Sequence, residues 1–239
     1  MQEHIQFIRY LKTNGKHPDG DICDSYKCCQ AWISKDERLE KWDEDVRTSN
    51  WDKITNAVDS TQGKVITYDG KPIDAFFHSN SGGVTETANN VWGGDNLPYL
   101  QSVQTAGEEG YSAYNSEVQL SKDELINKLK TKYSDLEIDF NQENCIEIVS
   151  YTESHRVKTI RFGNTEIAGT EARSLLGLKS TNFSFEINGD VIKFKVLGYG
   201  HGVGMSQTGA DSMAKGGSSA EEIIKHFYSG VEIKTVNEL

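Results

Sequence analysis

The stretch FSFEINGDVIKFKVLGYGHGVGMSQTG, residues 183–209, sets the character of the fold. Apolar and polar residues alternate over residues 183–188 and 191–197, which is the pattern of a half-buried β-strand. The Gly189-Asp190 pair between them is a hairpin turn signal. A glycine-rich segment, residues 198–209, follows the second strand at once. We therefore expect an antiparallel hairpin that leads directly into a glycine-rich loop.

The rest of the chain also mixes strands and helices. Ser121 and Glu124 form a capping-box pair, which marks the start of one helix. The predicted strands are residues 63–68 and 73–78 around an Asp69-Gly70 turn, and residues 145–150 paired with 157–162. The predicted helices are residues 2–12, two pieces within 36–60 of which the second is 50–60, and residues 121–133, 167–176 and 220–228. The pattern predicts an α+β fold of mostly antiparallel sheets and hairpins with packed helices, in one compact domain of catalytic type.

Composition excludes several classes of protein. The 239 residues carry a net charge of -11, and the mean hydropathy is -0.58. A chain this acidic lacks the electrostatic footprint of a general nucleic-acid-binding protein, so we predict no nucleic-acid partner. No stretch approaches the ~18 consecutive apolar residues of a transmembrane helix. Residues 2–4 do not begin a basic and then apolar leader, so no signal peptide is expected in the sequence as it stands.

The glycine-rich segment is the first candidate functional site. Its five glycines let the backbone turn sharply and approach a ligand closely. His201, Ser206 and Gln207 are interleaved with them, which a plain strand-to-helix turn would not require. No Gly-Lys-Ser/Thr follows, and this argues against a phosphate-binding loop. These three residues are candidate ligand-binding residues, and a plain turn is the alternative.

A second candidate segment is FHSNSGGVTE, residues 77–86. Ser79, Ser81, Thr85 and Glu86 place hydroxyls and an acid around a Gly-Gly turn. Such groups suit sugar hydroxyls or amides. The alternative is a hairpin or helix entry in which Ser81 or Thr85 acts as a cap.

Three cysteines lie within seven residues: Cys23, Cys28 and Cys29. A secreted disulfide framework would spread its cysteines along the chain. With His17 six residues ahead of the first, the cluster favours metal ligands; a Cys23–Cys28 disulfide or free thiols are the alternatives. Cys145 lies in an apolar strand, and we expect it to be a small buried apolar residue.

These segments resemble the stage II sporulation protein D family of peptidoglycan lytic transglycosylases and amidase enhancers. The resemblance covers most of the chain in the family's order. The matching segments are residues 77–86, 91–93, 98–103, 171–183, 198–209 and 222–230.

The resemblance implies a bacterial cell-wall protein of sporulation and engulfment. Such a protein binds peptidoglycan glycan strands and cleaves between N-acetylmuramic acid and N-acetylglucosamine, forming a 1,6-anhydro product. The residues implied to line the glycan cleft are Ser79, Ser81, Thr85, Glu86, His201, Ser206 and Gln207. The implied location is extracytoplasmic, at the cell wall or septal membrane, and the implied partners are glycan strands and other sporulation cell-wall hydrolases.

The resemblance also interprets the cysteines. Sporulation members carry a zinc site just after an early helix, and the matching positions here are His17, Cys23, Cys28 and Cys29. Cys28 stands where a histidine is expected, and both residue types bind zinc. Four protein ligands leave no open position for water, so the implied zinc is structural.

The family's catalytic acid is a glutamate in a Glu-Met-Pro type segment ahead of the zinc loop. Glu3 is the only acid before residue 17, and no Met-Pro follows it. We therefore assign no catalytic residue, and expect residues 1–239 to be the family domain without its N-terminal part, with an inserted α/β lobe at 115–165. A non-catalytic peptidoglycan-binding module or amidase activator is the main alternative. A zinc hydrolase using His78 and His201 ranks last, because no His-Glu-x-x-His spacing is present.

Overall fold

The structure is a computed structural model that describes residue 17, residues 23–25 and residues 31–238. This part of the chain contains seven α-helices and eleven β-strands. The helices are α1 (Lys35–Glu40), α2 (Arg47–Asp59), α3 (Ala88–Trp92), α4 (Lys122–Lys130), α5 (Gly169–Leu176), α6 (Gln207–Lys215) and α7 (Ala220–Phe227). The strands are β1 (Lys64–Tyr68), β2 (Lys71–Pro72), β3 (Phe77–His78), β4 (Asn115–Ser121), β5 (Ile146–Tyr151), β6 (Val157–Phe162), β7 (Thr165–Ala168), β8 (Asn182–Asn188), β9 (Val191–Leu197), β10 (Met205–Ser206) and β11 (Glu232–Thr235).

These elements divide into two compact units. The first contains the described residues up to Ala75 together with those from Gly230, and the second is Phe76–Ser229. Within the described ranges, every strand pair is antiparallel except β3 with β10. The predicted α+β class with mostly antiparallel sheets is therefore confirmed.

The first unit contains a three-stranded sheet in the order β11-β1-β2. Asp69 and Gly70 both have positive φ, 50° and 71°, as a tight turn between paired strands requires. The predicted turn is confirmed, but the single returning strand at residues 73–78 is wrong. β2 ends at Pro72, which has no N–H for a ladder hydrogen bond, and β3 pairs with the distant β10 instead.

The second unit contains two three-stranded sheets, β4-β9-β8 and β5-β6-β7. The predicted hairpin of β8 and β9 is confirmed, with Gly189 at its turn (φ 61°). Ile192, Phe194 and Val196 alternate along β9 and are all buried in the main apolar cluster. Cys145 is partly buried against the same cluster, as a small apolar residue would be.

Helix boundaries follow local signals except where a strand competes. The Ser121–Glu124 capping box is present at the start of α4. The helix predicted at residues 167–176 begins only at Gly169, because the residues before it pair with β6 as β7. Gly177 ends that helix in the left-handed conformation, φ 73°, as expected.

Residues 115–165 supply β4 to one sheet and β5 and β6 to the other. The inserted lobe at these positions stays a prediction. The predicted helix at residues 2–12 lies outside the described residues. Among the helices described, none combines the length and the apolar character needed to cross a membrane.

Candidate functional site

The two segments identified in the sequence lie side by side in the second unit. β3 and β10 pair in parallel. Single bridges continue the contact between Asn80 and Tyr199 and between Glu86 and Val203. Residues 77–86 and 198–209, which are far apart in the sequence, therefore form one pair of joined loops.

A buried carboxylate holds these loops together. Glu108 is completely buried, and six groups donate hydrogen bonds to it. The donors are the hydroxyls of Ser81, Thr105, Ser206 and Thr208 and the backbone N–H groups of Ser81 and Gly83. Burial raises the pKa of Glu108, but the hydrogen bonds from the hydroxyls outweigh burial and lower this pKa to about 2. We call Glu108 and these donors the Glu108 cluster.

The Glu108 cluster accounts for two of the predicted ligand residues. Ser81 and Ser206 are completely buried, and both direct their hydroxyls at Glu108. Sequence reasoning missed Glu108, because TAGEEG at residues 105–110 has the composition of an ordinary charged loop. The Gly107 before it is the one weak signal in the sequence, and the structure gives its reason: φ is +76° and a Cβ there would lie 2.2 Å from the hydroxyl oxygen of Ser212.

Glu86 is a second buried carboxylate, 1% exposed. It accepts hydrogen bonds from the N–H of Thr87 (2.7 Å) and the side-chain amide of Asn90 (2.9 Å) at the start of α3. It also accepts the hydroxyls of Thr152 (2.6 Å) and Ser154 (3.1 Å) from the segment between β5 and β6. Glu86 thus joins α3 to that segment.

Arg156 is a buried cation behind the glycine-rich loop, and sequence reasoning missed it as well. Its Nη2 donates to the carbonyl oxygens of Ser81 (2.6 Å) and Val84 (3.2 Å). Burial lowers the pKa of Arg156 to about 10, against the opposing effect of Glu86, so it stays charged at neutral pH. Its guanidinium faces Gly202, where φ is +85° and a Cβ would lie 2.7 Å from Cζ. Glycine is needed there both for the backbone conformation and for space.

Two histidines flank Val203. Nδ1 of His78 donates to the carbonyl oxygen of Val203 (3.1 Å), whereas Nδ1 of His201 accepts the N–H of Val203 (3.1 Å). These bonds put the proton of His78 on Nδ1 and that of His201 on Nε2. Burial lowers the pKa of His78 to about 3 and that of His201 to about 4, so both rings are neutral at neutral pH.

An aromatic patch lies at the edge of the joined loops. The ring of Trp92 lies 4.8 Å from that of Phe76 and 5.0 Å from that of His201, centroid to centroid. Trp92 remains 51% exposed although it packs against both rings. Phe76, Trp92 and His201, the aromatic patch, therefore present a fixed ring face to solvent.

The remaining predicted ligand residues differ in exposure. Gln207 is exposed at the start of α6, and Ser79 is half-buried with its carbonyl accepting the N–H of Thr208 (3.1 Å). Thr85 is completely buried, and its hydroxyl accepts the N–H of Val103 (2.9 Å). Thr85 thus supports the loop from within.

A polar pocket of about 450 Å³ opens beside α3. Its walls carry mostly uncharged amides and hydroxyls, with one lysine and one glutamate. They include Thr87, Asn89, Asn90, Gln101, Thr152 and Lys158. We call this the amide pocket. Glu86 lies next to it, because Thr87, Asn90 and Thr152 all donate to that carboxylate.

The predicted zinc ligands are only partly described. Cys28 and Cys29 lie outside the described residues, whereas His17 and Cys23 lie within them. In the described ranges, no group of three or more His, Cys, Asp or Glu side chains is arranged to hold a metal ion. The zinc site stays a prediction.

Comparison with known proteins places the chain in a family. A family model described as "Stage II sporulation protein" matches residues 5–68. Stage II sporulation protein D of Bacillus amyloliquefaciens is 37% identical over 214 residues, which cover 90% of this chain and 60% of that relative. Stage II sporulation protein D of Bacillus subtilis is 36% identical over 228 residues, 95% of this chain and 64% of the relative. This chain belongs to the stage II sporulation protein D family.

An amidase enhancer of Bacillus subtilis is a more distant relative, 27% identical over 77% of this chain and 33% of its own length. The chain spans 60% and 64% of the two stage II sporulation D proteins. The family-model match ends at residue 68 and does not reach the joined loops. The alignments with the two stage II sporulation D proteins cover 90% and 95% of this chain and include both loops.

Proposed function

We propose that this chain binds peptidoglycan glycan strands in a cell-wall role during sporulation. The observation that carries the proposal is the aromatic patch, in which Trp92 is half exposed yet packs on His201 and Phe76. Carbohydrates pack their apolar ring faces on such aromatic side chains, and nearby polar groups fix their orientation. The relatives' names, stage II sporulation protein D and amidase enhancer, support the setting.

The location and partners belong to the same proposal. A protein that binds glycan strands acts outside the cytoplasm, at the cell wall or the septal membrane. Other sporulation cell-wall hydrolases are the partners we propose there.

The finer proposal is lytic transglycosylase-type cleavage between N-acetylmuramic acid and N-acetylglucosamine. This reaction needs a carboxylic acid whose pKa is raised toward the working pH. Glu108, with its pKa lowered to about 2, stays ionised and has no proton to give. Glu86 accepts five hydrogen bonds from the groups around it. We therefore assign the acid to a residue other than these two.

A second candidate is a non-catalytic binding module or an activator of a cell-wall amidase. Two observations favour it. Both buried carboxylates, Glu86 within the joined loops and Glu108 hydrogen-bonded to them, act as structural acceptors, and one relative is named an amidase enhancer.

We also keep a structural zinc ion at His17, Cys23, Cys28 and Cys29 as a proposal. Its support is the donor set, because three thiolates and one imidazole suit a closed tetrahedral zinc site.

Co-sedimentation of the full chain with purified peptidoglycan sacculi tests the binding proposal. Truncation of an exposed aromatic anchor typically costs about 1–2 kcal/mol, so Trp92→Ala should weaken binding roughly tenfold. Trp32→Ala is the matched control, because Trp32 is 68% exposed in the first unit and should not matter. Equal binding by both variants and the unaltered chain would contradict the proposal. Chromatography of the soluble products for anhydro-muropeptides separates cleavage from binding alone.

A further inference from the structure

The amide pocket is built from the same short helix as the aromatic patch. Asn89 and Asn90 lie on α3, and Trp92 is the last residue of that helix. Five helical residues span about 7 Å, so the pocket and the exposed ring are near neighbours. Asn89 lies three residues before Trp92 and therefore on the same side of α3, which brings the pocket wall within reach of the sugar unit next to the one on Trp92.

Two amides of the pocket have their orientation fixed by the fold. The side-chain N–H of Asn90 donates to Glu86 (2.9 Å), and that of Gln101 donates to the carbonyl oxygen of Pro98 (2.9 Å). Their side-chain oxygens accept no hydrogen bond from the residues that the structure describes. The side-chain oxygens of Asn90 and Gln101 are therefore positioned acceptors that can bind an N–H or O–H group of a ligand.

The charges of the pocket balance. Lys158 and Glu153 both line it, and neither forms an ion pair within the described ranges. One ammonium and one carboxylate in the same lining give no net charge to attract a strongly anionic ligand such as a phosphate. Tyr151 adds a ring that is 54% exposed. This combination suits a neutral ligand that has both amide and hydroxyl groups.

We propose that the amide pocket is a carbohydrate subsite that recognises the acetamido group of an N-acetylated amino sugar. The acetamido N–H donates to the side-chain oxygen of Gln101, its carbonyl oxygen accepts from the Lys158 ammonium, and a sugar hydroxyl donates to the side-chain oxygen of Asn90. Glu86 acts beneath the pocket as a positioning residue that fixes Asn90 and Thr152. The inference rests on the proposed function, since it assumes that a glycan occupies Trp92.

The test compares two sugars that differ in the acetamido group. NMR titrations of the full chain with N-acetylchitotetraose and with cellotetraose give a Kd for each. We expect the acetylated sugar to bind more tightly and to shift the side-chain amide signals of Asn90 and Gln101. Gln101→Met should weaken N-acetylchitotetraose binding about fivefold, as expected for one lost hydrogen bond, and should leave cellotetraose unchanged.

Gln119→Met is the control, because Gln119 is exposed on β4 and lies outside the pocket. Lys158→Met is a second pocket variant, in case Gln101→Met disturbs folding. Equal affinity for both sugars, or an unchanged Kd in both pocket variants, overturns the subsite while leaving glycan binding at Trp92 intact. Failure of the unaltered chain to bind either sugar overturns the proposed function and the subsite together.

Discussion

Replacing Glu108 with glutamine would test whether its carboxylate is what joins the two loops. The carboxylate only accepts hydrogen bonds, whereas the glutamine amide would place an N–H group against donors such as the N–H of Gly83, 3.2 Å from Oε2. The fall in the pKa of Glu108 from 4.5 to about 2 corresponds to roughly 3 kcal/mol of stability. We therefore expect Glu108→Gln to lower the free energy of unfolding by about that amount.

Thermal unfolding followed by circular dichroism at neutral pH would measure the effect. For a protein of this size, roughly 3 kcal/mol lowers Tm by about 6–12 °C. The adjacent Glu109 offers a matched control, since it is exposed and Glu109→Gln changes the same charge. Exposed substitutions usually change stability by less than about 0.5 kcal/mol, so the control should keep its Tm within about 2 °C.

The pH dependence gives an independent check on the cause. The pKa of Glu108 is lower in the folded chain than in the unfolded chain, so its contribution is complete above pH 4.5 and is lost as pH falls toward 2. The difference in stability between the unaltered chain and Glu108→Gln should therefore shrink across that window. Equal Tm values for the two glutamine variants, or a difference that does not change with pH, would refute the reasoning.

Three further predictions concern other parts of the chain. Gly202→Ala should cost roughly 2 kcal/mol more than Gly217→Ala in chemical denaturation, because both glycines have positive φ but only Gly202 faces the Arg156 guanidinium; similar losses would argue against the close approach. His201→Ala should weaken binding to sacculi without loss of the folded state, since His201 packs beside Trp92; unchanged co-sedimentation would remove His201 from the site. Cys23→Ser should release about one zinc ion per chain in elemental analysis and lower Tm, whereas an unaltered chain that contains no zinc would end the zinc proposal.

Local signals in the sequence predicted the hairpin turns and several helix ends correctly, although the strand expected to return after Asp69-Gly70 is shorter than predicted. The Asp69-Gly70 turn, the Ser121–Glu124 capping box and the left-handed Gly177 each depend on a few neighbouring residues. Such features can be predicted because the backbone conformation of two to four residues decides them.

Long-range pairing could not be predicted in the same way. The pairing of β3 with β10 joins residues 77–78 to residues 205–206. The pattern of apolar residues in either segment does not indicate which other segment it pairs with. The burial of Glu108 and Arg156 depends on donors and acceptors that the fold supplies from distant segments. The sequence alone predicts that both residues are surface charges, because charged residues are rarely buried unless they are paired, and their partners cannot be identified from the sequence.

The central claim is that glycan strands bind beside the joined loops at Trp92. The most direct measurement is an NMR titration of the full chain with a soluble peptidoglycan tetrasaccharide, followed through the indole N–H signals. The chain has four tryptophans, and the other three, Trp32, Trp42 and Trp51, lie in the first unit and serve as internal controls. The account predicts that the Trp92 signal moves in a saturable way while the other three stay in place. A titration that leaves Trp92 unmoved, or that moves only Trp32, Trp42 or Trp51, would contradict it.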